Sequence, residues 1–205
     1  MPYKVLIPQD ISQAGKQFLK EKGYEIKIGS GISAETLKEE VRDCHAILAR
    51  TAWFPREVLE AGKLLKVIGR HGVGTDNIDV EAATQLGIYV TNAPHSNATS
   101  VAEHTIGLII ATARNLVRCD SAMRKGNFEI RNQIPGTDIG GKILGLIGVG
   151  RIGKLVARKA TLGLDMKVIG HDPFIDSKAA PEVEFTASIE ALLQQADFVS
   201  LHLPA

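Results

Sequence analysis

Leu144-Gly145-Leu146-Ile147-Gly148-Val149-Gly150-Arg151-Ile152-Gly153 is the stretch on which the reading of this chain turns. An apolar run of strand type, Lys142–Ile147, leads into G-x-G-x-x-G, carried by Gly148, Gly150 and Gly153, and a helical pattern follows from Arg151 to Leu162. The glycine spacing alone says little. A strand before it and a helix after it make it the first turn of a dinucleotide-binding βαβ unit. The next strand, Lys167–Gly170, runs on into Asp172, nineteen residues beyond Gly153, where such a unit carries the acid that binds ribose hydroxyls. Gly148 is expected to make the tight turn, Gly150 to let backbone approach a pyrophosphate, and Gly153 to let helix pack on strand. The amides of Arg151 and Ile152 lie at a helix N-terminus, which favours an anion by ~0.3–1 kcal/mol and by up to ~2 kcal/mol where partly buried. A carboxylate at Asp172 would repel a 2′-phosphate, so NAD is favoured over NADP. Two competing readings remain: S-adenosylmethionine, which also uses a glycine-rich first turn, and a turn that packs and binds nothing.

Outward from this unit, short apolar strands alternate with helical patterns. Strands are expected at Lys4–Ile7, Tyr24–Ile28, Ala46–Ala49, Lys66–Gly69 and Ile88–Thr91. Helices fall between them at 11–22, from Ser33 as N-cap to about Arg42, at 55–61 and at 80–86. After about residue 97 the rhythm changes. Ser100–Arg118 reads as one long helix and 124–138 as polar and irregular, and then the second βαβ series begins, with further strands near 183–185 and 198–202. The β-α alternation argues for an α/β fold of two Rossmann-like domains with parallel sheets. Residues 1–97 form a flavodoxin-like domain for the substrate, and 98–205 an NAD-binding Rossmann domain that is incomplete, with four strands where a full unit has about six.

Composition narrows the function classes. The 205 residues are 44% hydrophobic and 23% charged, globular values, with a net charge of +1 that gives no reason to expect nucleic acid or an anionic membrane as partner. No apolar run reaches the ~18 residues of a membrane span, and Met1–Pro8 is too soon interrupted for a signal peptide. Two cysteines, Cys44 and Cys119, without a CxxC, fit a reducing compartment, so a cytoplasmic protein without a disulfide or metal site is expected.

The run Gly145–Gly153 followed by His171-Asp172-Pro173 resembles the cofactor domain of the D-2-hydroxyacid dehydrogenases, nearest to the phosphoglycerate dehydrogenases. Arg70-His-Gly-Val-Gly-Thr-Asp-Asn-Ile-Asp79, Thr91-Asn-Ala-Pro-His95, Ser100-Val-Ala-Glu-His104 and Val199-Ser-Leu-His-Leu-Pro204 agree, in family order, over essentially the whole chain. The resemblance implies a substrate domain and a cofactor domain with a cleft between them. It implies that Val73 and Gly74 present backbone amides to a substrate carboxylate, Val73 also lying near the cofactor. Arg50 and Arg70 would hold substrate anions, Val101 would line the nicotinamide pocket, and His202, Leu203 and Pro204 would form the loop over the cofactor's ribose and nicotinamide side. The chemistry is consistent with this: hydride transfer needs the substrate carboxylate fixed, and a planar arginine fork or a nest of amides fixes it. An ordinary surface ion pair is the plain alternative for each arginine.

The family's catalytic Arg, Glu and His are expected beyond Ala205, and no substitute stands out among His45, His71, His95, His104, His171 and His202, although His71 and His95 lie on candidate cleft loops. The chain therefore reads as the N-terminal two-thirds of an NAD-dependent oxidoreductase acting on a small 2-hydroxy or 2-keto acid. The alternatives are a non-catalytic, redox-responsive NAD-binding module and a structural fragment without ligand. A homodimer is expected, because Val101, Ile106, Leu108, Ile109, Ile110, Leu116 and Val117 exceed what one packed helix face needs and because the resembling family dimerises in this region.

Overall fold

The computed structural model describes residues 2–203, so Pro204 of the expected cofactor loop lies outside the described residues. The chain divides into two compact units, Met1–Asn97 and Ala98–Ala205.

The first unit alternates β1 (Lys4–Ile7), α1 (Gln13–Glu21), β2 (Glu25–Ile28), α2 (Ala34–Val41), β3 (Ala46–Ala49), α3 (Arg56–Ala61), β4 (Val67–Arg70), α4 (Val80–Gln85) and β5 (Tyr89–Thr91). All strand pairings are parallel, in the order β2-β1-β3-β4-β5, the flavodoxin-like arrangement. Three of these four helices start on side chains whose oxygens accept orphan amides: Ser12 from Gly15 N, Ser33 from Thr36 N and Asp79 from Ala82 N. Leu37 and Val41 of α2, Val58 and Leu59 of α3, and Ala82 and Ala83 of α4 bury their apolar stripe against Leu6, Ile47 and Ile68 of the sheet. Each fully buried aliphatic side chain contributes roughly 1.5–3 kcal/mol. At the C-terminal ends of the strands, Phe54 forms an isolated parallel bridge with Ile78, and Phe54 itself is fully buried. This bridge ties the loop after β3 to the loop after β4.

The second unit contains α5 (Ala98–Ala113), α6 (Leu116–Arg124), α7 (Ile130–Gln133), β6 (Ile143–Ile147), α8 (Arg151–Leu164), β7 (Lys167–His171), β8 (Glu184–Phe185), α9 (Ile189–Leu193) and β9 (Phe198–Leu201). Its parallel sheet has the order β8-β7-β6-β9, the 3-2-1-4 sequence of a dinucleotide-binding half-fold. Both units are thus α/β layers on parallel sheets. Ala102 and Ile109 of α5 and Val156, Ala157 and Ala160 of α8 cover one face of this sheet, against Leu144, Leu146 and Val168. On the other face Leu192 of α9 packs with Ile147 and Ile169.

Three details differ from the sequence reading. The helix expected over Ser100–Arg118 is broken: Asn115 adopts φ 52, ψ 35 and separates α5 from α6. Asparagine tolerates this left-handed backbone, and its Nδ2 donates to Pro135 O at 3.2 Å. The stretch expected to be irregular contains the single-turn α7, and α9 stands where no element was expected, capped by Ser188 accepting from Ala191 N.

Candidate functional site

In the second unit the glycine loop has three separable roles. Gly148 has φ +90, and a Cβ there would come within 2.7 Å of His202 O and 2.9 Å of Leu203 Cδ2. Turn and close approach together demand glycine. A Cβ on Gly153 would strike the Gly148 carbonyl oxygen, so this glycine lets α8 lie against the loop. A Cβ on Gly150 would meet nothing within 4 Å. Gly150 is also the N-cap of α8 and makes no side-chain cap bond. An open cradle in front of a fourteen-residue helix is the geometry that receives a phosphate, and the adjoining amides are those of Arg151 and Ile152.

Asp172, half-buried at the end of β7, is held from both sides. Its Oδ2 accepts from Val149 N at 2.8 Å and its Oδ1 from Phe174 N at 2.9 Å. The first bond docks the carboxylate on the glycine loop itself. The second closes a tight turn through Pro173, leaving Phe174 93% exposed. Lone pairs remain on both oxygens for hydroxyl donors, and the fixed negative charge disfavours a phosphate.

The residues expected around the cofactor's other end are grouped as well. His202 N donates to Ile147 O at 2.8 Å, which carries the chain past the glycine turn, and Leu203 rests against Gly148. His202 Nε2 lies 3.1 Å from Ser200 Oγ, and burial lowers its pKa, favouring the neutral ring. Val101 and His202 line one cleft of about 520 Å³ between α5 and β9, with Thr105, Leu108 and Ile109. This cleft runs along the outer edge of β9 rather than over Gly150.

In the first unit, of the expected substrate residues, Arg50 follows the C-terminal end of β3, Arg70 is the last residue of β4, and Val73 and Gly74 lie on the loop after it. The order 2-1-3 places the topological switch between β1 and β3, where open α/β sheets bind ligands. Arg50 is exposed, and its Nη1 donates to Asp10 O at 2.7 Å, leaving further donors of its fork. The carboxylate of Asp10 is held below its usual pKa by Lys16, 2.7 Å away. Arg70 is committed differently from the expected anion ligand. Its Nη1 donates to the His71 carbonyl and its Nε to Asn77 Oδ1 at 3.2 Å. Its first task is therefore to shape the Gly72–Gly74 loop. Asn92 Nδ2 donates to Val73 O at 2.6 Å and Ala93 N to Gly72 O at 2.8 Å, so the backbone of Gly72 and Val73 is fixed from a second side.

Gln9, Asn77 and Asn92 were missed by sequence reasoning. A carboxamide at a strand end has no periodicity and no charge, and only Asn77 and Asn92 fell inside motifs that were quoted. Among the described residues, none of the six histidines hydrogen-bonds a carboxylate: His45 meets Lys4 N, His171 meets Thr186 O and His202 meets Ser200. His71 and His95 are exposed. No proton-exchanging His–carboxylate pair is formed among them.

The family model for D-isomer specific 2-hydroxyacid dehydrogenase, catalytic domain, matches residues 5–200. The chain is 40% identical over 204 residues to D-3-phosphoglycerate dehydrogenase of Methanocaldococcus jannaschii, covering 98% of this chain and 38% of that protein. To the Sus scrofa D-3-phosphoglycerate dehydrogenase it is 38% identical over 207 residues, with the same coverage. The Aquifex aeolicus D-lactate dehydrogenase, solved in complex with NAD and lactic acid, superposes with TM-score 0.84 at 30% identity, covering 98% of this chain and 61% of that one. The chain belongs to the D-2-hydroxyacid dehydrogenase family, and it spans 38% of the length of these curated relatives.

Proposed function

We propose that this chain supplies the dinucleotide site and the substrate-anion site of an NAD-dependent dehydrogenase of D-2-hydroxy acids, of the phosphoglycerate dehydrogenase type. The observation that carries the reading is Asp172 docked by Val149 N onto a glycine loop whose Gly150 faces open space. The residues fit the cofactor: Gly150, Arg151 and Ile152 would take the pyrophosphate, Asp172 the adenosine ribose, and Val101, His202 and Leu203 the nicotinamide side. NAD, when bound, supplies hydride acceptance at the carbon bearing the hydroxyl. The chain's own contribution is binding and orientation. The amides of Val73 and Gly74 and the free donors of Arg50 hold the acid's carboxylate or a second anionic group. Proton exchange at the 2-hydroxyl needs groups outside those described.

Two attributes accompany this reading. Cys44 and Cys119 are both unpaired, which fits a cytoplasmic setting. Leu108, Leu116 and Val117 are exposed along α5 and α6, with Val117 79% accessible, which supports a homodimer through this stretch and predicts a dimer in sedimentation at micromolar concentration. Among the described residues no helix is long and apolar enough to cross a membrane. The deciding test of the reading is calorimetric titration of the protein with NAD and with NADP. Tighter binding of NAD is expected; no binding, or equal affinities, would overturn it.

A further inference from the structure

The segment Arg50–Ala52 bridges the end of β3 and the Phe54 bridge, and two side-chain amides hold it from opposite sides. From the loop after β1, Gln9 Oε1 accepts from Thr51 N at 2.8 Å and Ala52 N at 2.7 Å, while its Nε2 donates to Thr51 Oγ1 at 2.8 Å. From the loop after β4, Asn77 Nδ2 donates to Ala52 O at 2.6 Å and Arg50 O at 3.2 Å. The same carboxamide accepts from Arg70 Nε through Oδ1. One side chain thus touches the guanidinium of one arginine and the backbone of the other. The clamp has a firm base, because Asn77 O accepts Phe54 N at 2.8 Å and Asp79 N donates to Phe54 O at 3.0 Å. At Asn77 the pattern requires a carboxamide: it must accept from Arg70 and donate to two backbone carbonyls, and a carboxylate in its place has no proton to donate.

We propose that Gln9 and Asn77 are positioning residues for the 2-hydroxy-acid anion. They do not touch it; they fix the Arg50–Ala52 segment, and with it the guanidinium of Arg50, so that Arg50 meets a small anion in register. The inference rests on the reading of Arg50 as an anion ligand. A fork that binds bidentately loses its advantage when its backbone wanders, and misplacement by about 1 Å can cost about 10²-fold. Loosening either clamp should therefore weaken anion binding by at least about tenfold while leaving the fold in place. Gln9 and Asn77 are both half-buried, and the hydrogen bonds of the Phe54–Ile78 bridge are made by backbone atoms alone.

The chain carries its own reporter: the single tryptophan, Trp53, follows Ala52 directly and is 62% exposed. The experiment titrates the protein with D-3-phosphoglycerate and with D-lactate by Trp53 fluorescence, alongside thermal melting and amide exchange at Thr51 and Ala52. Saturable binding is expected for the parent. Gln9→Ala and Asn77→Ala should bind at least tenfold more weakly with melting midpoints close to the parent's. Asn77→Asp, which still accepts from Arg70 but cannot donate to Arg50 O or Ala52 O, should behave as Asn77→Ala. Gln9→Glu, which still accepts both amides, should retain the exchange protection that Gln9→Ala loses. If Asn77→Ala does not fold, the two Gln9 variants decide. Parent-like binding by both alanine variants, with Arg50→Ala losing it, overturns the positioning role and leaves the anion site standing. Arg50→Ala binding as the parent does, or no binding by the parent, overturns the anion site and this inference with it.

Discussion

Two glycines three residues apart, Gly150 at the N-cap of α8 and Gly153 in its first turn, should fail in opposite ways when replaced by alanine. At Gly153 the added Cβ is driven into the Gly148 carbonyl oxygen, a backbone atom that cannot swing aside. Relief requires α8 to shift from the sheet, disturbing Val156 and Ala160, both fully buried. Overpacking of this kind costs about 1–3 kcal/mol. For a unit of this size 1 kcal/mol moves the melting midpoint by roughly 4–8 °C, so a drop of several degrees is expected from Gly153→Ala. At Gly150 the Cβ enters space with no protein atom within 4 Å. Gly150→Ala loses only its N-cap preference, up to about 1 kcal/mol, so its midpoint should fall by no more than about 4–8 °C and by less than that of Gly153→Ala. It should weaken NAD at least about tenfold, which is ~1.4 kcal/mol, because the methyl occupies the space proposed for the pyrophosphate. Scanning calorimetry gives the first quantity and isothermal titration the second. Parent-like NAD affinity in Gly150→Ala would refute the placement of the pyrophosphate, and an unshifted midpoint in Gly153→Ala would refute the packing argument.

Asp172→Ala removes both the charge and the two amide contacts; it should weaken NAD and narrow the preference over NADP, and an unchanged ratio of the two dissociation constants would count against the ribose contact. Burial pushes the Cys44 thiol up to about 11, and Cys44 is fully inaccessible. A thiol reagent at pH 8 should therefore modify Cys119 alone in the native protein and both cysteines in denaturant. Rapid native labelling of two thiols would contradict the packing of α2. His202, whose pKa burial lowers from 6.5, binds its proton more readily unfolded than folded. Stability is thus fully present above about pH 6.5 and falls as the pH drops from there towards the folded value. His202→Gln should flatten that part of the profile, and an NMR titration midpoint at or above 6.5 for His202 would show the sign to be wrong.

The sheets were legible because a buried parallel strand is a short apolar run, and both series present such runs at regular intervals. Strand ends fell within a residue or two, and Ser33 announced α2 by its own chemistry. The glycine loop was legible where packing decides it, since the turn at Gly148 and the close approach at Gly153 each exclude a Cβ for a local reason. The break at Asn115 was not legible. Val101 to Val117 continues an apolar pattern without interruption, and a left-handed asparagine changes the chain's course without changing its hydropathy. The short α9 escaped because five residues show little periodicity. The direction of Arg70 was beyond sequence altogether: a guanidinium aimed at its own loop and one aimed outward are spelled alike, and only Asn77 Oδ1 and the His71 carbonyl tell them apart.

Strand β9 pairs with β6 on one side, and among the described residues nothing pairs with its other side. Its outward ladder of amides and carbonyls runs beside the exposed side chains of Val199 and Leu201. Such an edge is a template on which any extended backbone can crystallise a further strand. The glycine turn follows β6, at the interior of the sheet, so strand addition at this edge widens the sheet away from the open space at Gly150. The same edge leads straight into His202 and Leu203, so a strand added there would lie beside the residues proposed for the nicotinamide side, and changes made at this edge for solubility would be felt in affinity as well.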